Sequence, residues 1–195
     1  MRVIFASNNK HKLDEIMRFL GSAISCVALS DVWPSASLEE TAHTFEGNAE
    51  LKATQVFEKT GQPCLSDDSG LEVDVLEGRP GVFSARFAGV NASDADNRLL
   101  LLELMRNEHV RSARFRTVLC LKTKNGTEFF EGVLEGRISE VPAGENGFGY
   151  DSLFIPNGES RTLAEMSTEE KIAISHRSIA MKKLVSHLRK NPQSM

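Results

Sequence analysis

Apolar positions open the chain as a block, Val3-Ile4-Phe5-Ala6, then recur at Leu13, Ile16, Met17 and Leu20 until Gly21. That pattern predicts a short strand followed by a helix, with Ser7-Asn8-Asn9-Lys10-His11-Lys12 as the turn between them. Ile24 to Leu29 predicts a second strand, and the stretch from Asp31 to His43, around Trp33-Pro34, reads as irregular. Thr44 suits the N-cap of a helix whose stripe is Phe45, Ala49, Ala53, Val56 and Phe57, ending at Gly61 and Pro63. Pro63-Cys64-Leu65 then reads as a short buried strand, and Leu71, Val73 and Val75 alternate with Glu72 and Asp74 as a half-buried one. Between the two, Ser66-Asp67-Asp68-Ser69-Gly70 reads as a turn supplied by its glycine.

Further on, Gly78-Arg79-Pro80-Gly81 marks a turn and Val82 to Phe87 an extended segment. Ser93, with Asp96 three residues on, opens a helix to Met105. Ala113 to Lys122 and Thr127 to Ile138 are rich in β formers and flank Asn125-Gly126, the clearest hairpin signal in the chain. Leu153-Phe154-Ile155 predicts a last strand ending at Pro156. Ser167-Thr168-Glu169-Glu170 is a capping box for a short helix that carries Lys171, and Ser175 suits the cap of a final helix with Ile179, Leu184, Val185 and Leu188 inside. Strands and helices interleave early while the central hairpin is antiparallel, so the expected fold is α/β with a mixed sheet.

Composition narrows the function more than the fold. The chain of 195 residues suits one domain, or one domain in two lobes, and its net charge of −4 offers no basic field for nucleic acid. No apolar run approaches the roughly 18 residues of a spanning helix, and polar Ser7 to Lys10 cuts the opening apolar block too early for a signal peptide. Cys26, Cys64 and Cys120 are widely spaced and odd in number, which fits reduced thiols in a cytoplasm rather than a disulfide framework or a zinc site.

Several segments carry groups that can do chemistry. Asp67 and Asp68 set adjacent carboxylates between two apolar runs, either as a solvated turn or with Asp68 and Ser69 directed from a rigid strand end. The turn from Ser7 to Lys12 points free amides and a helix N-terminus outward, suited to phosphate, though polar caps with solvated lysines fit the same residues. Asn48 and Lys52 share a helix face one turn apart. The glycine-rich 142–151 stretch holds Phe148 and Tyr150, either a stacking surface for a flat base or a loop folded back on the core. His176 and Arg177 place positive charge in the first turn of a helix, against its dipole.

In their order these motifs resemble the inosine triphosphate pyrophosphatase family: Ser7 to Lys12, Glu40-Thr41, Thr44-Phe45 with Asn48 and Lys52, Ser66-Asp67-Asp68-Ser69-Gly70-Leu71, Pro80-Gly81 with Ser84-Ala85-Arg86-Phe87, Gly147-Phe148-Gly149-Tyr150-Asp151, and Lys171 with Ser175-His176-Arg177. They span nearly the whole chain. Two departures stand out, Glu145-Asn146 in the glycine-rich loop and Ser152 where the family usually has proline; neither removes a chemical group. The resemblance implies a long mixed sheet with flanking helices, two lobes around a central cleft, a homodimer, and Mg²⁺-dependent hydrolysis of ITP, dITP and XTP to the nucleoside monophosphate and pyrophosphate, which cleanses the nucleotide pool.

By the same resemblance, Asp68 is the catalytic carboxylate, and Glu40 and Asp68 hold the Mg²⁺ that activates water for Asp68 to deprotonate. Ser7, Asn8, Asn9, Lys10, His11, Lys12, Lys52, Ser69 and Lys171 take the phosphates. Phe148, Gly149, Tyr150, Asp151, His176 and Arg177 take the purine. Two other readings remain: a related pyrophosphatase for modified pyrimidine or methylated nucleotides, and a non-catalytic nucleotide sensor on the same fold.

Overall fold

The computed structural model describes residues 2–20 and 24–191. The first apolar block forms strand β1 (Arg2–Ala6) and the helical repeat forms α1 (Lys10–Leu20). Gly21, the expected helix stop, lies outside the described residues. β2 (Ser25–Ala28) runs directly into a single helical turn, α2 (Leu29–Val32), where the sequence suggests a strand end and irregular chain. One turn is too short to show a period in the sequence, and its first residue, Leu29, is completely buried. α3 (Phe45–Thr60) has the expected ends: Thr44 Oγ1 accepts the Gly47 amide at 3.0 Å, and Gly61 closes the helix in the left-handed region.

The largest difference from the sequence reading lies in the acidic stretch. Cys64–Val73 is one unbroken strand, β3, so Asp67 and Asp68 sit within a strand and not in a turn. Gly70 meets a different need there. A Cβ on it would collide with the Gly81 carbonyl and the Ser84 hydroxyl, and that hydroxyl accepts the Leu71 amide at 2.9 Å. Glycine is required for close backbone approach, not for a change of direction. The segment expected to be extended after Gly81 is instead a 3-10 helix, Gly81–Arg86. Short-range bonds hold it, Phe83 amide to Pro80 carbonyl at 3.0 Å and Ser84 hydroxyl to Gly81 carbonyl at 2.6 Å.

α4 (Asp94–Leu104) carries the predicted Ser93/Asp96 capping box. β4 (Ser112–Thr123) and β5 (Gly126–Ile138) are sheet neighbours joined through Lys124 and Asn125 alone, the predicted hairpin. β6 (Phe154–Pro156), α5 (Thr168–Ile174) and α6 (His176–Lys190) complete the chain, with the Ser167/Glu170 capping box in place. The sheet order is β2-β1-β3-β4-β5-β6, with β1 parallel to β2 and β3 and with β6 antiparallel to β5. This is the expected mixed sheet of an α/β fold.

The chain divides into two compact units. The first comprises Met1–Asp68, Thr117–Gly132 and Arg177–Met195, and its core includes Phe5, Ile16, Leu65, Leu119, Met181 and Leu184. The second comprises Ser69–Arg116 and Val133–His176, and its core includes Leu71, Leu101, Phe115, Ile138, Tyr150 and Phe154. Among the described residues no helix is long and apolar enough to cross a membrane.

Candidate active site

In the first unit, the alternation of a β-strand decides what each acid meets. Asp67 shares a side of β3 with Leu65, which belongs to the core that α1 and α6 cover; Asp68 points the other way, toward α3. Asp67 is fully buried and receives the Lys12 ammonium of α1 at 2.5 Å and Arg177 Nε of α6 at 2.9 Å. Arg177 also pairs with Glu15, one turn after Lys12 on α1. A basic residue in the first turn of α6 runs against the helix dipole, and these two carboxylates supply the compensation. Burial would raise the carboxyl of Asp67, but Arg177 and then Lys12 outweigh it and hold it well below the usual range. Asp67 and then Glu15 keep Arg177 firmly charged despite its own burial. Burial holds the Lys12 ammonium below its ordinary value in spite of Asp67.

Asp68 is held by α3. Asn48 Nδ2 donates to Asp68 Oδ2 at 3.3 Å, and the Lys52 ammonium reaches Asp68 Oδ1 at 3.1 Å, Glu40 Oε1 at 2.5 Å and the Asp67 carbonyl oxygen at 2.8 Å. Asn48 and Lys52 are one helical turn apart on a buried face, so both reach the strand. Asn48 Oδ1 also accepts the Ala42 amide at 2.9 Å, which ties the Glu40 loop to the same helix. Burial raises the Asp68 carboxyl above its usual range, and nearby Glu40 adds to this, against the pull of Lys52 and Lys12. Desolvation alone would lower Lys52, yet Asp68 and Glu40 leave it above its ordinary value.

The turn before α1 behaves as a capped helix entry. Asn9 Oδ1 accepts the Lys12 amide at 3.2 Å, Ser7 Oγ accepts the Asn9 amide at 3.2 Å, and Asn8 Nδ2 donates to the Ala36 carbonyl at 3.1 Å. Asn8, Asn9, Lys10 and His11 are exposed.

A separate group forms in the second unit. Asp151 is buried; its Oδ2 accepts the Phe148 amide at 3.1 Å and pairs with the Lys171 ammonium at 2.7 Å. That ammonium lies 4.9 Å from the centre of the Phe148 ring, a cation over an aromatic face. Phe148 is half-buried, whereas Tyr150 is folded into the core with its hydroxyl donating to the Ser84 carbonyl at 2.9 Å. Of the two roles the sequence leaves open for these aromatics, Tyr150 takes that of folding back on the core. Gly149 is pinned from both sides, its amide donating to Asp94 at 2.7 Å and its carbonyl accepting Arg98 at 2.7 Å. His176 stacks on Phe115, ring centres 5.0 Å apart and nearly parallel.

The structure therefore gathers Lys12, Glu40, Lys52 and Asp68 with Arg177 in one unit, and Phe148, Gly149, Tyr150, Asp151, Lys171 and His176 in the other. Ser69, the first residue of the second unit, is half-buried. One participant, Glu15, is absent from the sequence reading, whereas Asn48 is already paired there with Lys52 on one helix face. Its signal is local, because Glu15 lies one turn from Lys12 on the same helix face.

Fold and site together define an α/β protein whose sheet carries two buried carboxylates among lysines. The chain belongs to the Ham1 family, whose profile it matches over residues 3–187. It is 46% identical over 185 residues to the dITP/XTP pyrophosphatase of Flavobacterium psychrophilum, covering 95% of this chain and 97% of that protein. Identity to the dITP/XTP pyrophosphatase of Porphyromonas gingivalis is 47% over 185 residues, covering 94% and 95% of the two chains. The structure of the Staphylococcus aureus Ham1 protein superposes with a TM-score of 0.91 at 36% identity, covering 98% of this chain and all of that one (100%). The nucleoside-triphosphatase, or dITP/XTP pyrophosphatase, of Mycobacterium abscessus gives 0.79 at 43% identity, covering 95% and 99%.

Proposed function

We propose that this protein is a nucleoside triphosphate pyrophosphatase that hydrolyses non-standard purine triphosphates, ITP, dITP and XTP, to the monophosphate and pyrophosphate. The observation that carries this reading is Asp68: a buried carboxylate, aimed by Asn48 and Lys52, beside a second carboxylate, Glu40, that shares the Lys52 ammonium. Asp68, kept directed by Asn48, takes the proton of the attacking water. Lys12 and Lys52 neutralise the polyphosphate, together with the amides and side chains of the turn from Ser7 to Lys12 and with Ser69. Relatives named for dITP and XTP support the substrate class.

The donor set fits a hard divalent ion. Glu40 and Asp68 both reach one cationic atom, Lys52 Nζ, so their oxygens already converge on a single positive charge. A pair of carboxylates is a donor set that Mg²⁺ accepts, since that ion usually keeps several waters and takes phosphate oxygens. Glu40 and Asp68 would hold it, and bound there it would polarise the water and the phosphate oxygens.

Phe148, Asp151, His176 and Arg177 are assigned to the base; Lys171, expected at the phosphates, pairs with Asp151 and lies over the Phe148 ring, so it is assigned to the base group as well. Hypoxanthine and xanthine offer acceptors at O6 and N7, which arginine or lysine can satisfy; adenine offers an amino donor at that edge. A donor facing a donor costs about 1–3 kcal/mol, roughly five- to 150-fold in rate. The protein is further proposed to act as a homodimer in a cytoplasm, in keeping with its three free thiols.

A product-resolved substrate panel with Mg²⁺ tests the function. Pyrophosphate released from ITP, dITP and XTP far faster than from ATP or GTP is the expected result. Orthophosphate as first product, or preference for a modified pyrimidine or methylated nucleotide, overturns it. Asp68→Asn should lower turnover by about 10²- to 10⁴-fold while a nucleotide analogue still binds, which also separates an enzyme from a sensor.

A further inference from the structure

Among the described residues the Lys52 ammonium has three polar partners, all oxygens, Glu40 Oε1 at 2.5 Å, the Asp67 carbonyl at 2.8 Å and Asp68 Oδ1 at 3.1 Å, and the residue is 4% exposed. An ammonium has three protons, and protein oxygens take all of them; Lys52 can serve a phosphate only by giving up a bond it now has. The same oxygens are the kind a hard divalent ion takes. An ion on Glu40 and Asp68 and an ammonium bonded to the same two oxygens are like charges competing for one set of donors, in a buried place where their repulsion is strong.

We infer that in the metal-free, nucleotide-free protein Lys52 stands in for the divalent ion, and that the two exchange when substrate binds, the ion taking Glu40 and Asp68 and the released ammonium turning to the polyphosphate. This rests on the proposed reading of Glu40 and Asp68 as ligands. It explains why one lysine can belong both to the acids and to the phosphates. Asn48 supports the exchange, because its bond to Asp68 Oδ2 keeps that carboxylate directed while Oδ1 changes partner. The consequence is an order of events: the ion alone must displace a bonded, buried cation and binds weakly, whereas ion and nucleotide together supply both the replacement charge and a new partner for Lys52.

The test is Mg²⁺ binding to the full chain without nucleotide, by calorimetric titration and by the shift of the thermal unfolding midpoint, in wild type, Lys52→Met and Lys52→Gln. Wild type should bind weakly, with a midpoint that barely moves. The Lys52 variants should bind Mg²⁺ at least about tenfold more tightly and recover with the ion a stability they lack without it. Equal affinities and equal shifts in all three proteins overturn the exchange; so does failure of both variants to fold even in Mg²⁺, since the ion would then not replace the ammonium. Asp68→Asn separates this from failure of the underlying reading. If wild type binds Mg²⁺ tightly and Asp68→Asn does not, the ligands stand and the exchange alone is wrong. If Asp68→Asn matches wild type in Mg²⁺ affinity at saturating non-hydrolysable ITP analogue, the ligand assignment is wrong and the exchange falls with it.

Discussion

Adjacent aspartates of equal appearance acquire different work because consecutive strand residues face opposite ways. Asp67 is the anionic joint of a buried chain of charges, Lys12 to Asp67 to Arg177 to Glu15, and Asp68 is the acid turned toward Asn48, Lys52 and Glu40. Removing one member of such a chain costs more than the pair contributes, since the partner stays buried with its charge. Arg177→Met should lower stability by about 3–5 kcal/mol in urea unfolding. Thr117 is the contrasting case: it is fully buried, and among the described residues its hydroxyl has no hydrogen-bond partner. Thr117→Val should therefore be neutral or stabilising by up to about 1 kcal/mol in the same experiment. The sequence makes Asp68 legible through its neighbours and the order of motifs. It does not reveal the partners of Asp67, because Arg177 lies 110 positions away and no local pattern encodes that distance.

At the scale of elements, caps and periods were readable and close approaches were not. Thr44 with Gly61, Ser93 with Asp96, and Ser167 with Glu170 each satisfy helix ends from within a few residues, so their chemistry is local and visible in the chain. The Asn125-Gly126 hairpin is visible for the same reason. Gly70 shows where that logic stops: a glycine between acids looks like a turn, yet the strand runs through it because the 3-10 helix at Gly81–Arg86 packs against its bare Cα. Gly70→Ala should cost about 1–3 kcal/mol as overpacking against a carbonyl that cannot swing away. Thr44→Ala should cost about 1 kcal/mol, the ordinary value of an N-cap. Thermal unfolding of the two variants separates them by size of effect.

For the whole molecule, the thiols report integrity. Burial pushes Cys26 up to about 11 and Cys120 up to about 12. A thiol reacts as its thiolate, so at pH 8 only about one part in a thousand of Cys26 is reactive, and reactivity should climb as pH rises toward 11. Alkylation of native protein at pH 8 should be slow at Cys26 and slower at Cys120, with both becoming fast on unfolding, as mass spectrometry would record. The sheet's α/β class was legible from the alternation of elements, but its partition was not, because the boundaries of the units fall inside β3, β4 and β5 and between His176 and Arg177. The chain enters the second unit directly after Asp68 and leaves it for the last time just before Arg177. Neither unit is thus an uninterrupted stretch of its gene. No single deletion or fusion can therefore remove or donate one unit whole, and any cut within residues 69–176, between the acid at 68 and the arginine at 177, breaks into both units.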